Sequence, residues 1–344
     1  MQHGAKLEQT SGLYTRFVPR RGITPGHLQT LASHFLPRKN LLSAGEERRF
    51  QVEPGAQILC QCHWQDARHQ AATIVIVHGL EGSSESQYVI GTANKAWAMG
   101  LNVVRMNVRN CGGTEDLSPT LYHSGMSQDV GAVAHELIEQ EKLPSIALVG
   151  FSMGGNQVLK LAGEWGKGAN GSAPRELHAV AAVSPAMDLS ISADALHRPT
   201  NRIYEWRFLL SLRARVRRKI ELFPDRYTLS RLWWNSIRDF DDKVTSRFSG
   251  FRDAEDYYEQ ASSSRVLDAI EIPTLVIHSK DDPFIRVSPE TRAKLLGNSC
   301  IKFIETDHGG HCGFLAEPRN GDDGRWAENQ ILAFVLEQER RLGS

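Results

Sequence analysis

Nowhere in the chain is there a run of about 18 apolar residues, so no segment reads as a membrane span. The opening stretch, MQHGAKLEQTSGLYTRFVPRR, also lacks the apolar core that a signal peptide needs. An excess of either charge is missing: 40 Lys and Arg stand against 40 Asp and Glu. A dedicated nucleic-acid binder would carry a basic surplus, so a nucleic-acid partner is excluded. Cysteine is scarce and odd in number. Cys60, Cys62, Cys111, Cys300 and Cys312 are scattered and form no disulfide framework. Cys60-Gln61-Cys62-His63 has no second pair at zinc-site spacing and reads as strand cysteines rather than a metal site. These absences lead us to expect a cytoplasmic protein with reduced thiols and no transmembrane segment.

What is present is an ordinary globular composition, 41% hydrophobic and 23% charged over 344 residues. From residue 73 it falls into a regular rhythm. Residues 73–78 (TIVIVH), 101–108, 145–150 (SIALVG) and 178–184 (HAVAAVS) are short apolar runs, the signature of buried parallel strands. Helical patterns at 88–99, 128–141 and 153–165 separate them. The alternation resumes with strands at 274–278 and 300–305, a helix at 289–296 and a terminal helix from about residue 325. This predicts an α/β chain with a mostly parallel, doubly wound sheet. Residues 186–262 break the rhythm with a helical, aromatic and arginine-rich insertion that reads as a cap. The expected organisation is a leader with the first strands at 1–72, a core at 73–185 and 263–344, and the cap between its two parts.

The sharpest motif is Gly150-Phe151-Ser152-Met153-Gly154, between an apolar strand and a helix. A strand-to-helix turn this tight needs its flanking glycines, and it lifts the serine hydroxyl clear of the sheet. A serine needs a base to become a nucleophile, and the base needs an orienting carboxylate. On sheets topped by such an elbow, acid and then histidine follow the serine in chain order. The run 274–278 ends at Ser279-Lys280-Asp281-Asp282, and the run 300–305 leads into His308-Gly309-Gly310-His311. Asp281 or Asp282 could be the acid, and His308 or His311 the base. The two glycines free the backbone to present His311, which is therefore preferred. Donors for a tetrahedral oxyanion are expected at the backbone N–H of Met153 and of Leu80, in the loop HGLEGSS after the first core strand. His78 reads as holding that loop.

The chain resembles the YheT-like α/β-hydrolases, bacterial relatives of the ABHD-type esterases and lipases. The matching residues are Gly26-His27-Leu28-Gln29-Thr30, His78-Gly79-Leu80-Glu81-Gly82 with Tyr88, Tyr122-His123-Ser124-Gly125 with Asp129, and the elbow continued by Gly155-Asn156. Further matches are Phe240-Asp241-Asp242 with Thr245, Gly250-Phe251, Asp256-Tyr257-Tyr258, Asp281-Asp282-Pro283-Phe284 and His308-Gly309-Gly310-His311-Cys312-Gly313-Phe314. The acid in this fold commonly sits three residues after the small residue ending its strand, here Ser279, which favours Asp282. The resemblance implies an α/β-hydrolase fold with a helical cap and a serine esterase with Ser152, Asp282 and His311 as triad. The resemblance fixes no substrate; a triad of this kind needs no cofactor and no metal, and a small ester with an apolar acyl chain is the expected partner. Acyl transfer or thioester hydrolysis would use the same triad. A binding protein on this fold would be expected to have lost a triad member, and haloalkane or epoxide chemistry would want Asp at position 152.

Within the insertion, Ile203, Trp206, Leu209, Leu210, Val216 and Ile220 approximate one apolar helix face, expected to pack the cap on the core with one or two residues lining an acyl pocket. Residues 198–219 hold eight basic side chains and one acid, while 220–262 hold six basic and nine acidic. The basic half is expected to pair with its acidic neighbour. It also suggests a rim for anionic substrates and a weak contact with a membrane surface.

Overall fold

The computed structural model describes residues 15–169, 171–229, 232–319 and 321–342. Residues 1–14, most of the stretch read above for a signal segment, lie outside the described residues. The leader supplies β1 (Glu46–Glu53) and β2 (Ala56–His63), and the apolar runs become β3 (Thr73–Val77), β4 (Asn102–Met106), β5 (Ile146–Phe151), β6 (Leu177–Val183), β7 (Thr274–Ser279) and β8 (Ile301–Thr306). They form one sheet in the order β1-β2-β4-β3-β5-β6-β7-β8. The β1–β2 hairpin and the β2–β4 pair are antiparallel, and every other pair is parallel. Cys60 and Cys62 share one face of β2 inside an apolar cluster, where burial pushes their thiols up, Cys62 to about 12.

Helix α1 (Gly26–Phe35) belongs to the leader, and α2 (Gln87–Ala98), α3 (Ser127–Glu139) and α4 (Met153–Gly166) connect the parallel strands. Between β6 and β7 run α5 (Leu189–Leu196), α6 (Arg202–Leu222), α7 (Ile237–Phe240), α8 (Ser246–Ser249) and α9 (Ala254–Ala261). After β7 come α10 (Pro289–Gly297) and α11 (Trp326–Leu342). Successive strand residues point to opposite faces. Ile74 and Ile76 of β3 pack with Val89 of α2 and Ile331 of α11, whereas Val75 and Val77 face Val133 of α3 and Val158 of α4. A third cluster, including Leu121, Val216, Trp234, Phe240, Tyr257 and Phe284, lies among the helices inserted between β6 and β7 and the loops beneath them.

The structure corrects the expected face of α6. Its buried residues are Glu205, Leu212, Val216 and Lys219, while Ile203, Trp206 and Leu210 are exposed. Val216 goes inside as expected, with Leu209 and Ile220 packed at the edge of the cluster, but hydrogen bonding as well as apolarity sets the buried face. Glu205 accepts from the Ile237 N–H at 3.0 Å and pairs with His197 and Arg202. Lys219 donates to the Glu115 carbonyl at 2.9 Å and to the Ser118 carbonyl, and burial lowers its ammonium to about 8. Nor does the basic half pair mainly with the acidic half. Arg215 reaches into the core loops instead, with Nε 2.8 Å from Glu81 and Nη1 3.1 Å from Glu115.

Candidate active site

β5 passes into α4 through Ser152 alone, at φ 54° and ψ −115°. A positive φ on a non-glycine residue costs about 1–3 kcal/mol and must be enforced by its surroundings. The flanking glycines are required by space. A Cβ on Gly150 would stand 2.2 Å from the Gly154 carbonyl oxygen, and one on Gly154 would stand 2.5 Å from the carbonyl oxygens of Val77 and His78. The turn is held by the Ser152 N–H, which donates to the Val183 carbonyl at 2.9 Å. Ser152 is thus presented at the N-terminus of α4, whose dipole favours negative charge.

The loop after β8 brings His311 to this turn. Its Nε2 lies 2.9 Å from Ser152 Oγ and its Nδ1 lies 2.8 Å from Asp282 Oδ2. Asp282 follows β7 and its side chain is fully buried. Its other oxygen accepts from the N–H groups of Phe284 at 3.1 Å and Ile285 at 2.8 Å. Burial alone would raise this carboxyl, but the His311 imidazole and the backbone donors outweigh it and hold it low. For His311 burial opposes the charge, while the adjacent Cys312 sulfur and the Asp282 carboxylate favour it, and the balance is raised. The other two candidates pair with each other: His308 Nδ1 stands 3.1 Å from Asp281 Oδ2, and Asp281 Oδ1 accepts from the Gly310 N–H at 2.9 Å.

The loop following β3 closes over the elbow. A Cβ on Gly79 would lie 3.0 Å from Ser152 Cβ, so the loop that continues into Leu80 packs against the serine, and Met153 opens α4. His78 is fully buried, and burial lowers it to about 4, so it is neutral. It donates from Nδ1 to the Gly79 carbonyl at 2.7 Å and accepts the Val108 N–H at Nε2, 3.0 Å away. Tyr88 accepts the Gly79 N–H at 2.9 Å, and Tyr122 donates to the Glu81 carboxylate at 2.6 Å.

Residues 72–318 match the family model described as the alpha/beta hydrolase fold. The chain belongs to the α/β-hydrolase family. It is 31% identical over 307 residues to YheT of Escherichia coli (strain K12), an esterase in name, across 87% of each chain. Phospholipase ABHD3 of Bos taurus is 28% identical over 329 residues, which cover 92% of this chain and 78% of that protein. The esterase Pf2001 of Pyrococcus furiosus shares the fold with a TM-score of 0.52 at 15% identity, covering 86% of this chain and 92% of that one. Among the described residues, no helix is long and apolar enough to cross a membrane.

In this α/β hydrolase the leader motif has a task that reading the sequence missed. Thr30 Oγ1 accepts the His311 N–H at 2.8 Å and donates to the Gly26 carbonyl at 2.8 Å. Gln29 bonds both backbone groups of Leu315, receiving from its N–H at 2.7 Å and donating to its carbonyl at 3.1 Å. A Cβ on Gly26 would fall 2.0 Å from the Asp281 carbonyl oxygen, so α1 lies directly against both the acid loop and the histidine loop. The polar run Gly26-His27-Leu28-Gln29-Thr30 was visible, but its partners lie near the other end of the chain. The other matched motifs join helices in the same way. Asn156 of α4 donates to the carbonyls of Ser124 and Ala261, and the Tyr257 hydroxyl accepts the Ser124 N–H at 3.0 Å. Asp129 pairs with Arg109 through two contacts of 2.6 and 2.7 Å.

Proposed function

We propose that the chain is a serine hydrolase that cleaves carboxylic esters through an acyl-enzyme. The observation that carries this reading is the unbroken line from Asp282 to His311 to Ser152, with contacts of 2.8 and 2.9 Å at a strained turn. His311 Nε2 takes the Ser152 proton as Oγ attacks the ester carbonyl. The N–H groups of Leu80 and Met153 hold the oxyanion of the tetrahedral intermediate. Asp282 orients His311 and stabilises its cation. The imidazolium then gives its proton to the departing alkoxide, and the alcohol leaves. A water activated by His311 attacks the acyl-Ser152 ester, and the carboxylic acid is released. The chemistry calls for no metal or organic cofactor.

The names of the relatives, an esterase and a phospholipase, support ester cleavage as the reaction class. In architecture we propose a core at 73–185 and 263–344, a leader at 1–72 and a cap at 186–262. Tyr204 and Phe208 of α6 lie 5.3 and 6.3 Å from Phe284, whose ring packs on His311, which supports an apolar acyl chain beside the site. The test is Ser152→Ala. It should lower kcat for p-nitrophenyl ester hydrolysis by about 10⁴-fold or more and abolish labelling by a fluorophosphonate probe. A variant that labels and turns over like the parent overturns the reading.

A further inference from the structure

Helices α1 and α6 show unlike inner and outer faces. On the inside both reach the histidine loop: Thr30 bonds the His311 N–H, and Tyr204 packs on Phe284, whose ring centre is 4.4 Å from that of His311. The two helices meet where the His27 ring stacks on Tyr204, with 5.8 Å between centres and Nδ1 3.1 Å from the hydroxyl. Farther along, Arg207 of α6 adds to burial in lowering His34 of α1. On the outside, Leu28, Leu31 and Phe35 of α1 and Ile203, Trp206 and Leu210 of α6 follow the same i, i+3, i+7 spacing. That spacing is the mark of a buried helix stripe, yet all six are exposed, Phe35 by 69% and Trp206 by 60%. Ile203, Trp206 and Leu210 continue into a groove of about 410 Å³, walled on its far side by Leu232 and Trp233.

The charge around this face is predominantly basic. Arg198, Arg202, Arg207, Arg217 and Arg218 are exposed, and Arg213 lines the groove with its guanidinium over Trp233. Of the two acids on α6, Glu205 is buried and Glu221, near the helix end, pairs with Arg218 at 3.1 Å, and α1 contains no acid. An apolar stripe inside a cationic collar suits an anionic lipid surface: the stripe sinks to the headgroup boundary and the arginines meet phosphates. A second copy of the chain docked by this face would bring two arginine collars together, which like-charge repulsion opposes.

We propose that the outer faces of α1 and α6 form an interfacial docking surface for anionic lipid aggregates, placed so that an acyl ester leaves the lipid beside Ser152. The substrate part of this proposal rests on the ester-hydrolase reading above, while the docking part stands on the surface itself. The test is co-sedimentation of the full chain with vesicles of phosphatidylcholine, with and without phosphatidylglycerol. The parent should bind the phosphatidylglycerol vesicles and lose that binding at high salt. Phe35→Ser with Trp206→Ser, and separately Arg207→Glu with Arg217→Glu, should each weaken binding about 10-fold or more, with unchanged circular dichroism and thermal midpoint. A parent that stays in the supernatant, or double variants that bind like the parent, overturns the proposal. So does a lipid-free dimer that Trp206→Ser dissociates. Ser152→Ala should bind vesicles like the parent. A parent that binds vesicles but hydrolyses no ester overturns the ester reading and leaves the docking surface standing.

Discussion

Two aspartate–histidine pairs lie side by side on the loops after β7 and β8, built from adjacent acids and from histidines three residues apart. Asp282 and His311 are shut in, with side chains 0% and 12% exposed, and touch Ser152. Asp281 and His308 are 24% and 45% exposed and touch each other at 3.1 Å. Residue type is identical in the two pairs, so residue type cannot decide their tasks. The difference lies in what else each carboxylate holds. Asp282 spends its second oxygen on the Phe284 and Ile285 N–H groups, which fix it under the histidine. Asp281 spends its second oxygen on the Gly310 N–H, which fixes the loop rather than a reacting group. Under the proposed mechanism the first pair does the chemistry, while the second braces the loop through Gly310.

The largest test of that contrast is Asp282→Asn. It should lower kcat for p-nitrophenyl esters by about 10³–10⁴-fold, because the imidazole loses both its orienting acceptor and its counter-charge. The pH profile sharpens the same point. The base is the neutral imidazole, and His311 is raised from 6.5, so kcat/KM should climb with pH through an inflection above that value. In Asp282→Asn burial faces less opposition, and the inflection should move down. A smaller effect is expected from Thr30→Val, which frees the His311 backbone without touching the other pair. Its kcat should fall about 10- to 100-fold through misplacement, with KM nearly unchanged. Asp281→Asn should stay within about 10-fold of the parent, since the amide oxygen can still accept the Gly310 N–H. His308→Gln, at the exposed end, should change activity by less than about 2-fold and leave the thermal midpoint nearly unmoved. Equal losses in Asp281→Asn and Asp282→Asn would erase the distinction between the pairs.

The parallel strands were legible because each is a short apolar run buried on both faces, as TIVIV of β3 is. The elbow was legible because its pattern is compact: Gly150 is required by the Gly154 carbonyl within the motif itself, even though Gly154 answers to Val77 and His78 across the sheet. Helix α1 was less legible, since Pro19, Pro25 and Pro37 punctuate the leader and disfavour a long helix there. Pro25 instead caps its start, and Pro37 follows just beyond its end at Phe35. The orientation of α6 was not legible either. Glu205 and Lys219 go inside because backbone groups of Ile237, Glu115 and Ser118 await them there, and no periodicity of apolar residues records such partners. The choice between Asp281 and Asp282 needs three dimensions for the same reason, because both acids have a histidine and a backbone N–H within reach.

The hydrogen bond between Thr30 and the backbone of His311 joins residues 281 positions apart. During synthesis the first partner leaves the ribosome long before the second exists. The elbow and the inserted helices are synthesised in that interval, while one face of the sheet still awaits α11. Activity should therefore arise late and all at once, when the end of the chain folds back onto its beginning. A chain cut short before that moment would lack the proposed base and also α11, whose Trp326, Ile331 and Val335 cover one face of the sheet. Contact between distant residues makes folding slow, and under the proposed mechanism it also makes turnover a report on whether the loop carrying His311 has docked on Thr30.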